Sequence, residues 1–338
     1  MSKGGDRRAP RSAKAFQERC HSVVDLTGCR GAWVKVGIVR NPVSGGRSGH
    51  ARWRDISKAL AEHFPGCEVR ETARAGDAGP LTLELIASGC DLIIAVGGDG
   101  TIGEVVDGIM RSARPQTAFS FMPTGTGCDF ARNFSLPSEP EALVRRIAEA
   151  SVRQIDIARI TGRSAGGTVL ERHFANIASV GVSGRIVQAV NGRGRRVASG
   201  SLRFLLCSVR EILRYRPEGV RVVVDGKQVF SGPVTVAAVA NGSWFGGGMH
   251  VVPFADLADG LLDIGILRGA SKTGVLGILA RLYSASHVGH PLISFHRGRV
   301  VDVEPYGGAM LSIEADGETL PFDRLHVEVM PSALSLKI

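Results

Sequence analysis

The first ordered signal along the chain is the run Trp33-Val34-Lys35-Val36-Gly37-Ile38-Val39, short and rich in β-branched residues, which stops at Asn41-Pro42. It predicts a strand. Residues 52–63 then carry Trp53, Ile56, Ala59 and Leu60 at helical spacing, and Pro65-Gly66 ends that helix. Residues 67–72 read as a second strand, and 79–88 as a helix bearing Leu81, Leu85 and Ile86. Leu92-Ile93-Ile94-Ala95-Val96 is apolar throughout, the pattern of a strand covered on both faces of a parallel sheet. It runs into Gly97-Gly98-Asp99-Gly100-Thr101 and then a helix over 101–111. A further strand over 118–122 opens onto Pro123-Thr124-Gly125-Thr126-Gly127. This βαβα alternation predicts a three-layer α/β domain.

From Arg153 the pattern changes to short alternating strands joined by tight turns. Residues 220–224 and 228–230 flank Asp225-Gly226-Lys227, a hairpin signal. Strands are expected over 234–240, 262–267, 299–303, 311–314 and 325–329, with helices over 201–214 and near 271–284. The expected class is therefore α/β plus all-β: an α/β nucleotide domain followed by an antiparallel β-sandwich. The boundaries are a disordered basic tail at 1–31, the first domain at 32–152 and the second at 153–325. A last segment, 326–338, is expected to return to the first domain. No internal repeat is visible.

Composition changes this picture little. Of 338 residues, 44% are hydrophobic and 22% charged, ordinary for a globular protein, while 44 glycines argue for many turns and phosphate-facing loops. The first 31 residues hold seven basic and three acidic side chains, so they supply +4 of the net +9. A basic surface suits anionic membranes and nucleic acid alike, so charge does not choose between them. The arginines of Asn191-Gly192-Arg193-Gly194-Arg195-Arg196 have no aromatics between them, which disfavours RNA, and no nucleic-acid partner is expected. Six scattered cysteines without CxxC spacing read as free thiols in a reducing cytoplasm, and the histidines show no zinc spacing. The basic N-terminus lacks an apolar signal-peptide core, and no apolar run approaches membrane-spanning length.

The chemistry concentrates at residues 92–110, where a buried strand ends in a glycine-rich turn that opens a helix. Unpaired N–H groups and the positive end of the helix dipole make such a turn an anion site. Asp99 would repel a phosphate unless a divalent cation stood between them. Thr101 with Glu104 also reads as a capping box, a structural role. The loops after the first strand, Asn41 to Gly46, and after the 118–122 strand point to the same crevice, because strand C-termini in an open parallel sheet converge on one place. Three such loops suggest a polyphosphate. GxxxxGK[ST] and a GxGxxG dinucleotide fingerprint are both missing.

Taken in order, Asn41-Pro42 with Ser44-Gly45, Gly97-Gly98-Asp99-Gly100-Thr101, and Gly125-Thr126 with Asp129-Phe130-Ala131-Arg132 resemble the diacylglycerol-kinase catalytic family. That family includes bacterial soluble lipid kinases and sphingosine and ceramide kinases, with NAD kinases and phosphofructokinases as distant relatives. Gln154-Ile155-Asp156-Ile157, Phe245-Gly246-Gly247-Gly248-Met249, Asp259-Gly260-Leu261-Leu262-Asp263 and Ala315-Asp316-Gly317-Glu318 continue the likeness, which covers nearly everything after residue 33.

The resemblance implies an ATP- and Mg²⁺-dependent kinase acting on a lipid hydroxyl, most simply diacylglycerol giving phosphatidic acid. The substrate would be met peripherally at the inner face of the cell membrane, by a cytoplasmic protein for which a homodimer stays open. It implies nucleotide contacts at Asn41, Ser44, Gly45, Thr72, Gly97, Gly98, Asp99, Gly100, Thr101 and Thr126. Asp99, Asp129 and Asp156 would form an acidic network around magnesium and phosphates. Asp316 would be the general base, supported by Glu318, and Asp256, Asp259 and the Leu261 carbonyl would hold a structural magnesium. From the residues alone, Asp316-Gly317 and Asp259-Gly260 read equally as turns, and Asp316 as an exposed loop-end acid. Gly103 and Cys128 stand where relatives carry Asn, which leaves open a soluble substrate such as NAD, a sphingoid base, or a non-catalytic homologue.

Overall fold

The computed structural model describes residues 35–125, 127–164, 166–192, 200–306 and 311–338. The basic segment 1–31, Thr126 and the Arg193, Arg195 and Arg196 stretch lie outside them. The first half runs β1 (Val36–Arg40), α1 (Gly46–His63), β2 (Glu68–Glu71), α2 (Ala78–Ala87), β3 (Leu92–Gly97), α3 (Asp99–Arg111), β4 (Ala118–Pro123) and α4 (Pro140–Glu149). Strands β2, β1, β3 and β4 pair in parallel in that order. The all-apolar β3 is buried along its whole length because helices cover both faces, as its sequence requires.

The second half contains β5 (Val152–Arg163), β6 (Val169–Phe174), β7 (Ile177–Gly181), α5 (Val182–Gly192), α6 (Gly200–Arg214), β8 (Glu218–Val224) and β9 (Lys227–Ala240). It continues through β10 (Trp244–Phe245), β11 (Met249–His250), β12 (Leu262–Arg268), α7 (Lys272–Leu282), β13 (Ile293–Gly298) and β14 (Val300–Pro305). The chain closes with β15 (Ile313–Ala315), β16 (Glu318–Leu320) and β17 (Leu325–Lys337). Apart from the contact of β17 with β4, the pairings made by β5 to β9 and β12 to β17 are antiparallel. Helices α5, α6 and α7 pack with Val182, Ile186, Ile212, Val275 and Leu279 into a separate apolar cluster.

Strand β17 joins the two halves. It pairs with β14 and β5, shifts register between Met330 and Leu334, and meets β4 at Leu336 and Phe119. One hydrogen-bonded path therefore runs from β16 to β2. Several elements differ from the pattern-based reading: β5, β6, β7, α5, β10, β11 and β16 were not placed by it, and β9 is one strand where two were expected. Helix α1 starts at Gly46, because Gly45 adopts φ +71° and turns the chain directly into it. Helix α4, which buries Leu143, Val144 and Ile147 at helical spacing, and strand β13 were not anticipated either.

Candidate active site

Three loops at the C-terminal ends of β1, β3 and β4 meet edge to edge. The N–H of Asn41 donates to the Val96 carbonyl at 2.9 Å, and that of Thr124 to the Gly97 carbonyl at 2.9 Å. The Asn41 amide donates to Thr101 Oγ1 at 3.2 Å, and Thr124 Oγ1 to Ser44 Oγ at 3.1 Å. A side chain at Gly125 would place its Cβ 2.8 Å from the Gly98 Cα, and one at Gly45 would lie 2.3 Å from the Thr124 carbonyl oxygen. Glycine is thus what lets the loops touch. Helix α3 begins at Asp99 behind an extended Gly98, so its free N–H groups face the loop crevice. Asn41, Thr72, Gly98, Gly100 and Thr101 line one open cleft there, with Asp316 and Glu318 on its far wall.

The capping box expected of Thr101 and Glu104 does not form. The helix starts two residues before Thr101, and the Glu104 carboxylate instead accepts the N–H groups of Gly76 and Ala78, each at 2.8 Å. Glu104 thereby anchors the loop that carries Thr72.

Asp99, Asp129 and Asp316 line a second, narrower cavity with Asn176 and Gly247. Asp99 Oδ1 accepts the Phe130 N–H at 3.0 Å, and Asp129 Oδ2 accepts that of Gly247 at 2.6 Å. Burial pushes the Asp129 carboxyl up to about 7, with the Asp99 charge adding to it, and burial also raises Asp99. Asp129 Oδ1 has no hydrogen-bond partner and only Arg132 Nε at 3.3 Å. Two carboxyls buried side by side, one with an oxygen that no hydrogen bond occupies, fit a divalent cation. No three His, Cys, Asp or Glu side chains among the described residues converge closely enough to cage a metal unaided. Magnesium takes one or two carboxylates and completes its shell with phosphate and water.

Asp316 is not the exposed, swinging acid expected of a loop end. Its carboxylate accepts N–H bonds from Ala175 at 2.9 Å, Asn176 at 3.1 Å and Ile177 at 3.0 Å. Burial raises it to about 6 against the pull of these bonds, and the Asp99 charge adds to the rise. Glu318 is raised to about 7, by burial first and by Glu104 beside it, while Arg172 opposes the shift. Arg172 bridges Glu318 at 2.7 Å and buried Asp107 at 3.2 Å. The sequence reading missed Arg172, Asp107 and Asn176. A lone arginine in a strand carries no local signal, and only pairing across 146 positions gives it a role.

Asp156 is not brought into the acidic network. It is 1% exposed, and its oxygens accept the N–H groups of Gly260 at 2.6 Å and Ser332 at 2.7 Å, clamping the Asp259-Gly260 turn to β17. Asp256 and Asp259 each accept the N–H two residues on, from Ala258 and Leu261, both at 3.0 Å. The outer oxygen of Asp259 faces Arg297 at 3.3 Å, and Arg297 also grips Asp263. As placed, Asp259 faces the guanidinium, while one oxygen of each aspartate is held by its own turn.

The two departures also have physical readings. A Cβ at Gly103 would lie 3.3 Å from the Asp316 Cβ, so glycine makes room for that side chain. Cys128 is buried, with φ +38°, and burial followed by the Asp99 charge pushes its thiol up to about 12. It stays protonated and donates to the Gly125 carbonyl.

Two family models match the chain in sequence. The diacylglycerol kinase catalytic domain matches residues 35–160, and the YegS C-terminal NAD kinase beta sandwich-like domain matches 176–338. The chain belongs to the diacylglycerol-kinase catalytic-domain family. Within it, a diacylglycerol kinase of Mycobacterium tuberculosis is 29% identical over 308 residues, covering 89% of this chain and 94% of that protein. A Pseudomonas aeruginosa protein named "probable lipid kinase YegS-like" is 28% identical over 294 residues, covering 87% and 92%. The crystal structure of a diacylglycerol kinase from Bacillus anthracis superposes with a TM-score of 0.69 at 23% identity, covering 90% of this chain and 96% of that one, which shows the shared fold.

One more feature of this family member adjoins the acidic cavity. Ile186, Ile212, Leu279 and Phe295 line an apolar cavity between the second-half sheet and helices α5, α6 and α7. Phe204 and Phe245 line both cavities and form their common wall. Among the described residues no helix is long and apolar enough to cross a membrane.

Proposed function

We propose that this family member is an ATP- and Mg²⁺-dependent lipid kinase that transfers the γ-phosphate to a lipid hydroxyl, most simply that of diacylglycerol. The observation that carries the reading is the shared wall. Asp316 stands with the phosphate loop on one side and, through Phe204 and Phe245, an apolar cavity on the other. A long acyl chain in that cavity would deliver its hydroxyl end to Asp316. A soluble acceptor such as NAD has no use for such a lining, so the cavity favours a lipid, with a sphingoid base as the nearest variant. The substrate would be taken from a membrane surface by peripheral contact on the cytoplasmic side.

Phosphoryl transfer needs alignment, charge neutralisation and a proton acceptor. The loop N–H groups at the start of α3, with Asn41, Ser44 and Thr101, would align the phosphates. Asp99 and Asp129 would hold the magnesium, which supplies neutralisation of charge on the transferring phosphate. Asp316, raised only to about 6, is ionised at neutral pH and can accept the hydroxyl proton. Arg172 keeps Glu318 beside it.

The test is incubation with labelled ATP, Mg²⁺ and a mixed lipid extract, with the labelled product identified by mass. Phosphorylated lipid from the wild type and none from Asp316→Asn is the expected result. Label found only in a soluble acceptor, or no transfer by the wild type, would reject the reading.

A further inference from the structure

Glu314 is a buried acid that the transfer mechanism above does not use. It is 0% exposed on β15, two residues before Asp316, and among the described residues no Lys, Arg or His pairs with it. An ionised carboxylate there would be an uncompensated buried charge, which costs several kcal/mol. Burial pushes the group up to about 8.

Its contacts run in two directions. Glu314 Oε2 accepts the N–H of Gly317 at 3.3 Å, inside the Asp316-Gly317 turn. Its Oε1 makes a short hydrogen bond with Ser179 Oγ, the cross-strand neighbour on β7, and Ser179 Oγ lies 2.7 Å from Ser183 Oγ on α5. Ser179 and Ser183 both line the apolar cavity. A serine hydroxyl has one hydrogen, so Ser179 cannot donate to both neighbours. Two proton orders satisfy the chain: Ser183 to Ser179 to an ionised Glu314, or a protonated Glu314 to Ser179 to Ser183, with Oε2 accepting from Gly317 in both. Full burial with no cation beside it selects the protonated order.

The charged groups on the packed elements do not change this. Strand β7 carries none, Arg185 on α5 pairs with Glu211 at 3.8 Å, and Glu318 on β16 pairs with Arg172. Asp316 in the same turn pushes the Glu314 carboxyl further up.

We propose that Glu314, as a neutral acid, is a positioning residue that ties the Asp316-Gly317 turn to the wall of the apolar cavity and so holds the base against the bound lipid. The inference rests on the lipid-kinase reading. It is tested in the full chain with Glu314→Gln, Glu314→Leu and Ser179→Ala.

Glu314→Leu should lower kcat by roughly 10- to 100-fold, the cost of a misplaced base, with KM for ATP unchanged. Glu314→Gln should restore near wild-type kcat, because an amide donates and accepts as the neutral acid does. The wild-type rate should fall as pH rises through about 8, and Glu314→Gln should lack that fall. Ser179→Ala should reduce kcat less than Glu314→Leu and raise KM for the lipid. Wild-type kcat in Glu314→Leu, or Glu314→Gln as slow as Glu314→Leu at an equal melting temperature, overturns the proposal. If Glu314→Leu does not fold, the alkaline limb decides, and its persistence in Glu314→Gln overturns the proposal. If the wild type phosphorylates no lipid, the lipid-kinase reading fails by itself. The neutral acid is then read by infrared spectroscopy, as a protonated-carboxyl band at pH 7 that Glu314→Gln removes, and a missing band overturns it.

Discussion

Asp225-Gly226 and Asp316-Gly317 are the same turn in two places. Both join antiparallel strands, with φ of 48° and 76° in the first pair and 46° and 82° in the second. Both aspartates spend their carboxylates on backbone N–H groups: Asp225 on Arg299 and Val300, each at 2.9 Å, and Asp316 on Ala175, Asn176 and Ile177. The first turn is exposed to solvent. The second is pressed against α3, opposite Gly103 and within the field of Asp99. Identical local chemistry thus gives a plain turn where solvent surrounds it and a raised, enclosed acid where the glycine-rich loop faces it.

The widest separation between the turns should come from neutralising each acid. Asp316→Asn is expected to lower turnover roughly 10²- to 10⁴-fold, the usual loss of a general base. Asp225→Asn should leave turnover intact and cost about 1 kcal/mol of stability, from weaker N–H acceptance. Equal losses of activity in both variants would dissolve the distinction.

The pH profile is the next test. Turnover should fall on the acid side with a midpoint near the Asp316 value of about 6, because the protonated acid cannot take a proton. The stability effect has the opposite sense. A folded-state value raised above the ordinary carboxylate value means that the folded chain holds this proton more tightly. The resulting stabilisation is full in acid and fades as pH rises through about 6. Melting curves of Asp316→Asn should therefore gain on the wild type between pH 5 and 7 by about 1 kcal/mol or more.

Gly103→Asn should act on one turn alone. Its Cβ would stand 3.3 Å from that of Asp316, and turnover is expected to drop roughly tenfold as the base is displaced. Steady-state kinetics with an unchanged KM for ATP would support this. The smallest effect should be shared: Gly226→Ala and Gly317→Ala each meet open space but force a positive φ, at about 1–2 kcal/mol. Denaturant titration should return similar losses for both.

Much of the fold was legible because it is written in local pattern. The apolar run 92–96 could only be a doubly covered strand, and the glycines at 97, 98 and 125 marked where loops had to touch. Within the site, Asn41, Ser44, Thr72, Asp99, Thr101, Asp129, Asp316 and Glu318 are brought to the two adjoining cavities or the loops that wall them. Asp156 is not, although it reads like its fellows, because its carboxylate is consumed by two backbone N–H groups contributed from residues 104 and 176 positions away. Asp259 is paired with Arg297, again a partner that spacing does not reveal.

The sequence by itself determined the alternation of elements, the glycine-rich turn before α3 and the two Asp-Gly hairpins, since each follows from steric and periodic rules acting over a few residues. Tertiary structure alone decided which Asp-Gly turn became an enclosed acid, that Glu104 anchors a loop and does not cap a helix, and that an apolar cavity shares a wall with the acidic one. Those outcomes depend on burial and on which charges and N–H groups come within a few ångströms. These are properties of strands joined across the whole chain, and no single segment contains them.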